Sequence, residues 1–282
     1  MKPLDVGLGL RLLRFLRTPK GTVLAILVCL VAGAPVVRTG GTTLLWLAPT
    51  VLCPALVDAA VLRWRRGRLV FPGGAAITGL LVGMVLRVQE PWYVATALAT
   101  AAVALKYPLR VRHANVFNPA ALALVAASQL FGAGHSWWGA LTEVVPAAAI
   151  PLLLASAAFI TVRVHKLPLV LAFTGTYYVC CLLTAVLVDP ALVADLFVPP
   201  DLQATIFFAG FFLTDPPTSP TRRGAQVTHG VVVAVASMSA LLATGMVDYL
   251  FVGVLVGNVW EAGHRLLRTR MHVRLQARTA SP

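Results

Sequence analysis

Residues 202–223 read LQATIFFAGFFLTDPPTSPTRR, and this stretch decides how the rest of the chain is arranged across a membrane. It begins with an apolar, aromatic run of roughly a dozen residues, whereas a spanning helix needs about 20. If this run did not cross, the arginine-rich C-terminal segment would lie on the exported side, which the positive-inside rule disfavours. We therefore interpret the run as a short or broken spanning helix.

The composition of the whole chain indicates the same environment. Of the 282 residues, 59% are hydrophobic and only 12% are charged, and the mean hydropathy is +0.84. A soluble domain carries about twice this charged fraction, so the chain lacks the polar surface of an aqueous fold. We predict an all-α polytopic membrane protein with the lipid bilayer as its surroundings. Orientation in the bilayer then explains the net charge of +13, and no nucleic-acid partner is expected.

Apolar runs divide the chain into ten predicted transmembrane helices. Their bounds are 22–37, 43–62, 69–87, 92–105, 115–132, 143–162, 168–188, 202–213, 225–244 and 246–264. A basic arm over residues 1–21 precedes them, and a basic tail over residues 266–282 follows.

The basic residues test this number of segments independently. When the N-terminus is placed in the cytoplasm, all of the 23 Lys and Arg residues except Arg38 and Arg87 fall on the cytoplasmic side. Lysine and arginine are disfavoured in short exported loops. We therefore predict a multi-pass protein of the bacterial plasma (inner) membrane with both termini cytoplasmic.

Segments four and eight are short, and both end in polar loops. Short or interrupted segments at corresponding places in two halves are typical of inverted repeats around a site at the membrane midplane. We predict one five-helix repeat over residues 22–132 and a second over residues 143–265. Segments three and four would then correspond to segments eight and nine.

A first polar cluster, HANVFNPAA, covers residues 113–121. Asn118 is a good N-cap and Pro119 suits the first helical position, so a simple helix start explains both residues. A helix start does not account for Asn115, which lies close to the membrane. A helix N-terminus also suits an anionic or carbonyl-rich ligand, and we keep that role as the sharper alternative.

A second polar cluster, TDPPTSPTRR, covers residues 214–223. Its three closely spaced prolines force a backbone with few hydrogen bonds, which at membrane depth must be buried in protein or line a cavity. Asp215 ends the apolar run, and a carboxylate there pairs with a cation or contacts a ligand. The simpler interpretation is a rigid cytoplasmic turn in which Asp215 pairs with Arg222 or Arg223.

Three short motifs occur in order along the chain: TGLL at residues 78–81, FNPA at residues 117–120 and TDP at residues 214–216. In this order the chain resembles the RnfD and NqrB family, the flavin-carrying membrane subunits of the Rnf complex and of the sodium-pumping NADH:quinone reductase. The resemblance covers roughly residues 45–265. It implies two inverted five-helix repeats similar to the urea-transporter architecture, electron transport, and redox membrane subunits as partners.

The motifs and the two polar clusters together give the candidate cofactor-binding residues, which are Thr78, Asn115, Asn118, Thr214 and Asp215. In the family, FMN is attached to a threonine of an SGAT-type motif, in RnfD between helices five and six. No such motif occurs in residues 132–143, where Thr142 has different surroundings. We therefore expect a non-covalent flavin, FMN or riboflavin, and no covalent FMN.

A further departure concerns the start of helix three. The family's acidic residue there is missing, because FPGG occupies residues 71–74. In these departures the chain resembles stand-alone relatives of the UnbU type from enediyne biosynthesis clusters.

Histidines and cysteines allow two other cofactors. The histidines near the cytoplasmic face are compatible with a bis-histidine haem: His113, His165, His229 and His264. The cysteines near mid-helix are compatible with an iron–sulfur cluster: Cys29, Cys53, Cys180 and Cys181. A basic rim and ordinary buried thiols are the simpler interpretations, because free cysteine is a common apolar core residue.

Asp58 and Glu261 are acids inside predicted spans. Either each pairs with a following arginine, Arg63 or Arg265, or the two acids serve ion or proton passage.

The leading functional hypothesis is an electron-transport subunit that holds a flavin between the repeats, with aromatic walls from residues 207–212. The alternative is a channel or transporter for a small solute, and a third possibility is a scaffold without cofactor. The chain contains no dinucleotide fingerprint or P-loop, so it should not carry out NADH or ATP chemistry itself.

Overall fold

The computed structural model describes residues 15–36, 41–67, 70–111 and 114–279, and side chains as far as residue 268. The first half contains α1 (Pro19–Gly33), α2 (Thr43–Arg66), α3 (Gly73–Val85), α4 (Trp92–Leu105) and α5 (Pro119–Phe131). The second half contains α6 (Pro146–Arg163), α7 (Leu167–Leu187), α8 (Asp201–Phe207), α9 (Arg223–Thr244) and α10 (Tyr249–Thr279). A helix therefore overlaps each of the ten predicted segments.

Four of these helices are long and apolar enough to cross a membrane, namely α2, α6, α7 and α9. Shorter apolar helices are α1, α3, α4, α5 and the unit formed by α8 with its extension. At about 1.5 Å per residue, the 13 residues of α3 extend about 20 Å, less than the thickness of a bilayer core.

Several predicted bounds were wrong at the helix starts. Helix α3 begins at Gly73 instead of residue 69, because Pro72 and the two glycines after it set its first turn. Helix α5 begins at Pro119 instead of residue 115. The chain before it forms a two-stranded antiparallel ribbon, β1 (Arg110–Val111) with β2 (Ala114–Asn115), which pairs Arg110 with Asn115. The all-α prediction missed this small ribbon.

Local chemistry explains the helix ends that were predicted well. The Asn118 side chain accepts hydrogen bonds from the N–H groups of Ala120 and Ala121, and Pro119 takes the first helical position. Helices α2, α5 and α9 end at glycines in the left-handed region, where a Cβ would be strained. These glycines are Gly67, Gly132 and Gly245.

Helix α8 continues as a π-helical turn over Phe208–Phe212. The wider turn leaves carbonyl groups that need other donors. The Thr214 hydroxyl donates to the Gly210 oxygen (2.6 Å), and the Asn118 amide Nδ2 donates to the Phe212 oxygen (3.1 Å). The π turn is thus joined to the start of α5 in the other half of the chain.

Each half of the chain has specific pairs of helices that pack against each other. In the first half, α2 packs against α3 and α4, α4 against α5, and α1 against α3. In the second half, α7 packs against α9, α9 against α10, and α6 against α8. Small residues allow the closest approaches. A Cβ added at Gly79 of α3 would collide with the Thr50 carbonyl of α2, and one at Gly230 of α9 would collide with α7.

Polar contacts gather the loops at two ends of the bundle. We call one the basic end and define it by residues 15–20, 63–67, 106–111, 114–118, 163–166 and 214–223. Here the Arg163 guanidinium donates to the Arg17 oxygen (2.5 Å), and the Lys166 ammonium donates to the Pro220 oxygen (2.6 Å).

At the opposite end, Glu90 joins three parts of the chain. Its carbonyl accepts from the Trp46 indole (2.6 Å), and its carboxylate accepts from the Gly134 N–H (2.8 Å). The Gln203 amide also donates to the Leu141 oxygen (2.9 Å) in the connection between the two halves.

Some sequence predictions concern residues that the structure does not describe. His113 lies outside the described residues, as do residues 1–14, 37–40, 68–69, 112 and 280–282.

Candidate functional site

A cavity of about 300 Å³ opens at the basic end of the bundle. Elements from both halves of the chain line it: the starts of α1, α3 and α5, the link from α4 to β2, the π turn and the proline-rich loop after it. This volume is at the lower end of the range for small-molecule pockets in proteins.

All five candidate residues from the sequence line this one cavity. They are Thr78, Asn115, Asn118, Thr214 and Asp215. The structure therefore brings together residues that are up to 137 positions apart in the chain. Whether they bind a ligand stays a prediction.

Most of the hydrogen-bonding capacity of Asn118 is already used by the fold. Its Oδ1 caps α5, its Nδ2 donates to the Phe212 oxygen, and its backbone N–H donates to the Asn258 Oδ1 (2.8 Å). The side chain is only 3% exposed. Its first role is therefore to hold the cavity together.

Thr78 and Thr214 are also partly used by the fold. The Thr78 hydroxyl donates to the Gly74 oxygen (3.0 Å), and the Thr214 hydroxyl donates to the Gly210 oxygen. Each hydroxyl oxygen can still accept a hydrogen bond. Both side chains are buried, so a ligand that reached them would be shielded from water.

Asn115 lies on β2 and not on a helix, which corrects the sequence prediction. Its Oδ1 accepts a hydrogen bond from the Arg110 Nε (3.2 Å) in the paired strand. The side chain is half-buried at the mouth of the cavity and orients the Arg110 guanidinium.

Asp215 forms a tight turn with the residues that follow it. Its Oδ2 accepts from the Thr218 hydroxyl (2.9 Å), and its carbonyl accepts from the Ser219 hydroxyl (2.8 Å). Among the described residues, no ion pair joins Asp215 to Arg222 or Arg223, so the expected partners were wrong. Both arginines are exposed.

Burial raises the pKa of the Asp215 carboxyl above its ordinary value. The Thr218 hydrogen bond and the nearby Lys20 ammonium act in the opposite direction, but more weakly. Asp215 is therefore easier to protonate than an exposed carboxyl group.

Two cations hold the proline-rich loop by its carbonyl groups. The Lys166 ammonium donates to the oxygens of Pro220 (2.6 Å) and Ser219 (3.3 Å). The Arg265 guanidinium donates to the Pro217 oxygen (3.1 Å) and pairs with Glu261 (2.8 Å). The pairing of Glu261 with Arg265 confirms the simpler of the two interpretations of that acid.

Sequence reasoning missed this role of Lys166. The residue is 3% exposed, and burial lowers the pKa of its ammonium group to about 8. The available signal was indirect, because a loop of prolines has few N–H groups and its carbonyls need donors from elsewhere.

A basic rim surrounds the mouth of the cavity. We define it by Lys20, Arg66, Lys106 and Arg110, which all line the cavity. In the sequence these residues are only markers of orientation. Their convergence could not be seen from the sequence, because they come from three separate elements.

Asp58 pairs with a rim residue and not with Arg63, as the sequence had suggested. Its Oδ1 lies 2.5 Å from the Lys106 ammonium and accepts a hydrogen bond from the Tyr107 hydroxyl (2.5 Å). Burial lowers the pKa of Lys106, whereas Asp58 acts to raise it. Arg63 points to solvent one turn from Arg66.

The aromatic residues of segment eight serve mostly as core. Phe207, Phe208 and Phe212 have no exposed surface and pack around Phe251 and Trp137 at ring distances of 4.8 to 6.5 Å. Phe211 lines the cavity. Of the aromatic residues 207–212 that were expected to wall the site, only Phe211 lines this cavity.

Histidines and cysteines do not form a metal centre within the part of the chain that the structure describes. His229 is buried in α9 with both ring nitrogens unpartnered, and His264 packs on the Trp260 ring. Cys29 is exposed, whereas Cys181 is buried against the Met238 sulfur (3.8 Å).

Thr142 lies at the opposite end from the cavity. It is half-buried and directly follows Leu141, which is in the left-handed region, and its hydroxyl donates to the Ser136 oxygen (3.3 Å). The cavity described above does not include it.

The sequence matches no protein-family model and no curated protein.

Proposed function

We propose that the chain is a polytopic protein of the bacterial plasma membrane with ten spans in two inverted five-helix repeats. The pattern of helix packing supports this. In the first half, α1 packs against α3, α2 against α4, and α4 against α5. The corresponding pairs in the second half also pack together: α6 with α8, α7 with α9, and α9 with α10. Two short helices, α3 and α8, occupy the third place of their repeat.

The protein, we propose, is an electron-transport subunit of the RnfD and NqrB type that binds a flavin non-covalently in the cavity at the basic end. One observation carries this proposal: Thr78, Asn115, Asn118, Thr214 and Asp215 all line that cavity. The residues behind this assignment lie in separate parts of the chain, so their meeting at one cavity is a property of the fold.

The cavity offers groups suited to the polar edge of an isoalloxazine ring, which carries both carbonyl and N–H groups. Asn115 supplies an amide, Thr78 supplies a hydroxyl oxygen, and Asp215 supplies a carboxyl group. With its raised pKa, Asp215 can act as acceptor or, when protonated, as donor. The flavin would supply one- and two-electron chemistry, and the protein would position it and tune it by hydrogen bonds.

The visible spectrum of the protein purified in mild detergent tests the proposal. We expect flavin absorption, with all of the flavin released on denaturation because no covalent attachment is expected. Flavin that stays on the denatured protein would contradict non-covalent binding. A colourless preparation that also takes up no added flavin would refute the flavin proposal.

Asp215→Asn tests the assignment of the cavity, because it keeps the shape of the side chain and removes the charge. We expect flavin retention to fall while the yield of folded protein stays near that of the wild type. Asp195→Asn is the matched control, since Asp195 is exposed and lies outside the cavity. Equal retention in both variants would remove Asp215 from the site.

A channel or transporter for a small solute is the second candidate. The observation in its favour is that the cavity lies between a short helix, α3, and the π-helical extension of α8, because short or interrupted helices are typical of transporter sites. A colourless protein that moves a solute across liposome membranes, with flux reduced by Asp215→Asn, would favour this candidate.

A further inference from the structure

The connection from α5 to α6 enters the bundle at the end opposite the basic end. We call residues 133–142 of this connection the α5–α6 loop. Half of them are buried, namely Ala133 and residues 138–141. Connecting segments normally run over the surface, because buried backbone groups need hydrogen-bond partners. A loop inserted in this way needs specific contacts to stay docked.

Hydrogen bonds to the end of α3 hold the α5–α6 loop in place. The N–H groups of Ser136 and Trp137 both donate to the Val85 oxygen, at 2.8 and 3.1 Å. Trp137 and Leu141 have positive φ angles of 53° and 55°, which are unfavourable for residues with a Cβ. The docked loop is therefore held against backbone strain.

His135 places a titratable ring in the apolar part of the docked loop. The ring packs edge-on against the Phe251 ring (5.6 Å between centroids) and the Trp137 ring (6.3 Å). Both ring nitrogens are buried, and neither has a hydrogen-bond partner among the described residues. Burial lowers the pKa of His135 below its ordinary value of 6.5. Docking therefore favours the uncharged ring, whereas a ring exposed to water takes up a proton near the ordinary pKa.

Charged groups approach His135 from two elements. Asp248, directly before α10, is fully buried, and its carboxylate accepts from the Gln129 amide of α5 (3.1 and 3.3 Å). Arg87 and Glu90 lie between α3 and α4, where the Glu90 carboxylate accepts from an N–H of the α5–α6 loop (2.8 Å). Burial has the largest influence on the His135 ring and disfavours its protonation. Asp248 and two nearby carbonyl groups oppose this effect, and Arg87 adds to it.

We propose that the α5–α6 loop is an acid-sensitive switch, which protonation of His135 releases from the bundle. The exposed ring binds a proton more tightly than the docked ring, so acid shifts the equilibrium towards release. Release also withdraws Trp137 from the rings of Phe207 and Phe251, which lie 6.5 and 5.1 Å away. In the proposed topology the loop faces the outside of the cell and responds to external acidity. This switch does not depend on a bound flavin.

Hydrogen exchange of the α5–α6 loop tests the switch, measured by mass spectrometry on the purified protein in detergent. The opening constant, corrected for the intrinsic effect of pH on exchange, is compared between about pH 7.5 and about pH 5.5, a range above the ordinary pKa values of carboxyl groups. We expect it to rise by up to about tenfold, the limit for one proton over the pH unit below 6.5. An unchanged opening constant would overturn the proposal. Stronger protection in acid would also overturn it, because the protonated ring would then pair with Asp248.

Two histidine variants identify the group that titrates. His135→Phe keeps an aromatic ring against Phe251 and Trp137 but takes up no proton, so the opening constant should no longer depend on pH. The matched control is His264→Phe, because His264 also packs on a tryptophan ring but lies at the far end of the predicted span 246–264. This control should respond to pH as the wild type does. A response that persists in His135→Phe, or is lost in His264→Phe, would contradict the assignment to His135.

A second substitution covers the case in which His135→Phe does not fold. His135→Gln also removes the titration and fits a smaller space. Its opening constant should be the same at both pH values, and a response equal to that of the wild type would refute the role of His135. The wild-type measurement decides the proposal even without either variant, since it must show the loss of protection in acid.

Discussion

The Lys166 ammonium stabilises the proline-rich loop by hydrogen bonds to its carbonyl groups. The proline-rich loop after the π turn has few N–H groups, and its carbonyls at Ser219 and Pro220 accept hydrogen bonds from the Lys166 ammonium. Burial stabilises the uncharged amine, which is why the pKa of Lys166 falls to about 8 from 10.5. An uncharged amine can still donate to both carbonyls, so loss of the proton removes a burial penalty without removing the contacts.

This pKa predicts the pH dependence of stability. Between about pH 8 and pH 10.5, the unfolded chain holds the Lys166 proton and the folded protein does not, so the free energy of unfolding should rise with pH, by at most about 3 kcal/mol. Lys166→Arg keeps the charge and the donors but does not titrate. Thermal unfolding in detergent should show the rise in the wild type and not in Lys166→Arg, and parallel curves would show that Lys166 is not the titrating group.

At the scale of elements, the ends of helices from opposite halves determine the site. The π turn exposes the Phe212 carbonyl, and the N-cap of α5 supplies its donor through Asn118. The backbone N–H of Asn118 also donates to the Asn258 Oδ1 of α10. The side chain and the backbone N–H of this one residue therefore link α5, the π turn and α10.

Replacement of Asn118 should test this coupling. Asn118→Ala removes the helix cap and leaves the buried Phe212 carbonyl without its donor, so we expect a loss of about 2–4 kcal/mol in the free energy of unfolding. Asn118→Asp keeps the cap acceptor and loses the donor to Phe212. Its free energy of unfolding should therefore lie between those of the wild type and Asn118→Ala. Asn115→Ala, in the same sequence cluster but without a cap role, is the control in thermal unfolding. An Asn118→Ala loss no larger than the control would refute the coupling.

At the scale of the whole molecule, the distribution of charge and the contacts between loops both divide the bundle into a basic end and an opposite end. Loops rich in lysine and arginine contact one another at the basic end, and the contacts of Glu90 lie at the other end. The cavity opens among the basic loops. A membrane orientation with the basic end in the cytoplasm would give a soluble anionic ligand direct access to it.

Reporter insertions test this orientation. An insertion after Arg66, in the loop that follows α2, should report a cytoplasmic position because positive loops are retained there. An insertion after Ser136, between α5 and α6, should report an external position. Each insertion is paired with a measurement of folded yield, and the opposite result at either place in a folded protein would refute the ten-span topology.

Much of the fold and part of the site follow from the sequence because they depend on local physics. Apolar runs indicate where helices form, since backbone groups in an apolar environment must be satisfied within the segment. Asn118 with Pro119 marks the start of α5 because a cap acts on the residues directly after it. The grouping of Thr78, Asn118 and Asp215 as one site came from motif resemblance, and the structure places these residues around one cavity.

Only the tertiary structure decided which partners these residues take. Asp58 pairs with Lys106, directly after α4, instead of Arg63 on its own helix, and Asp215 accepts from Thr218 instead of pairing with the arginines further along the loop. Lys166 reaches a loop more than fifty residues away. The physical reason is the same in each case: a buried charge is stabilised by whichever group the packing brings within hydrogen-bond distance, and nearness along the chain does not determine that distance.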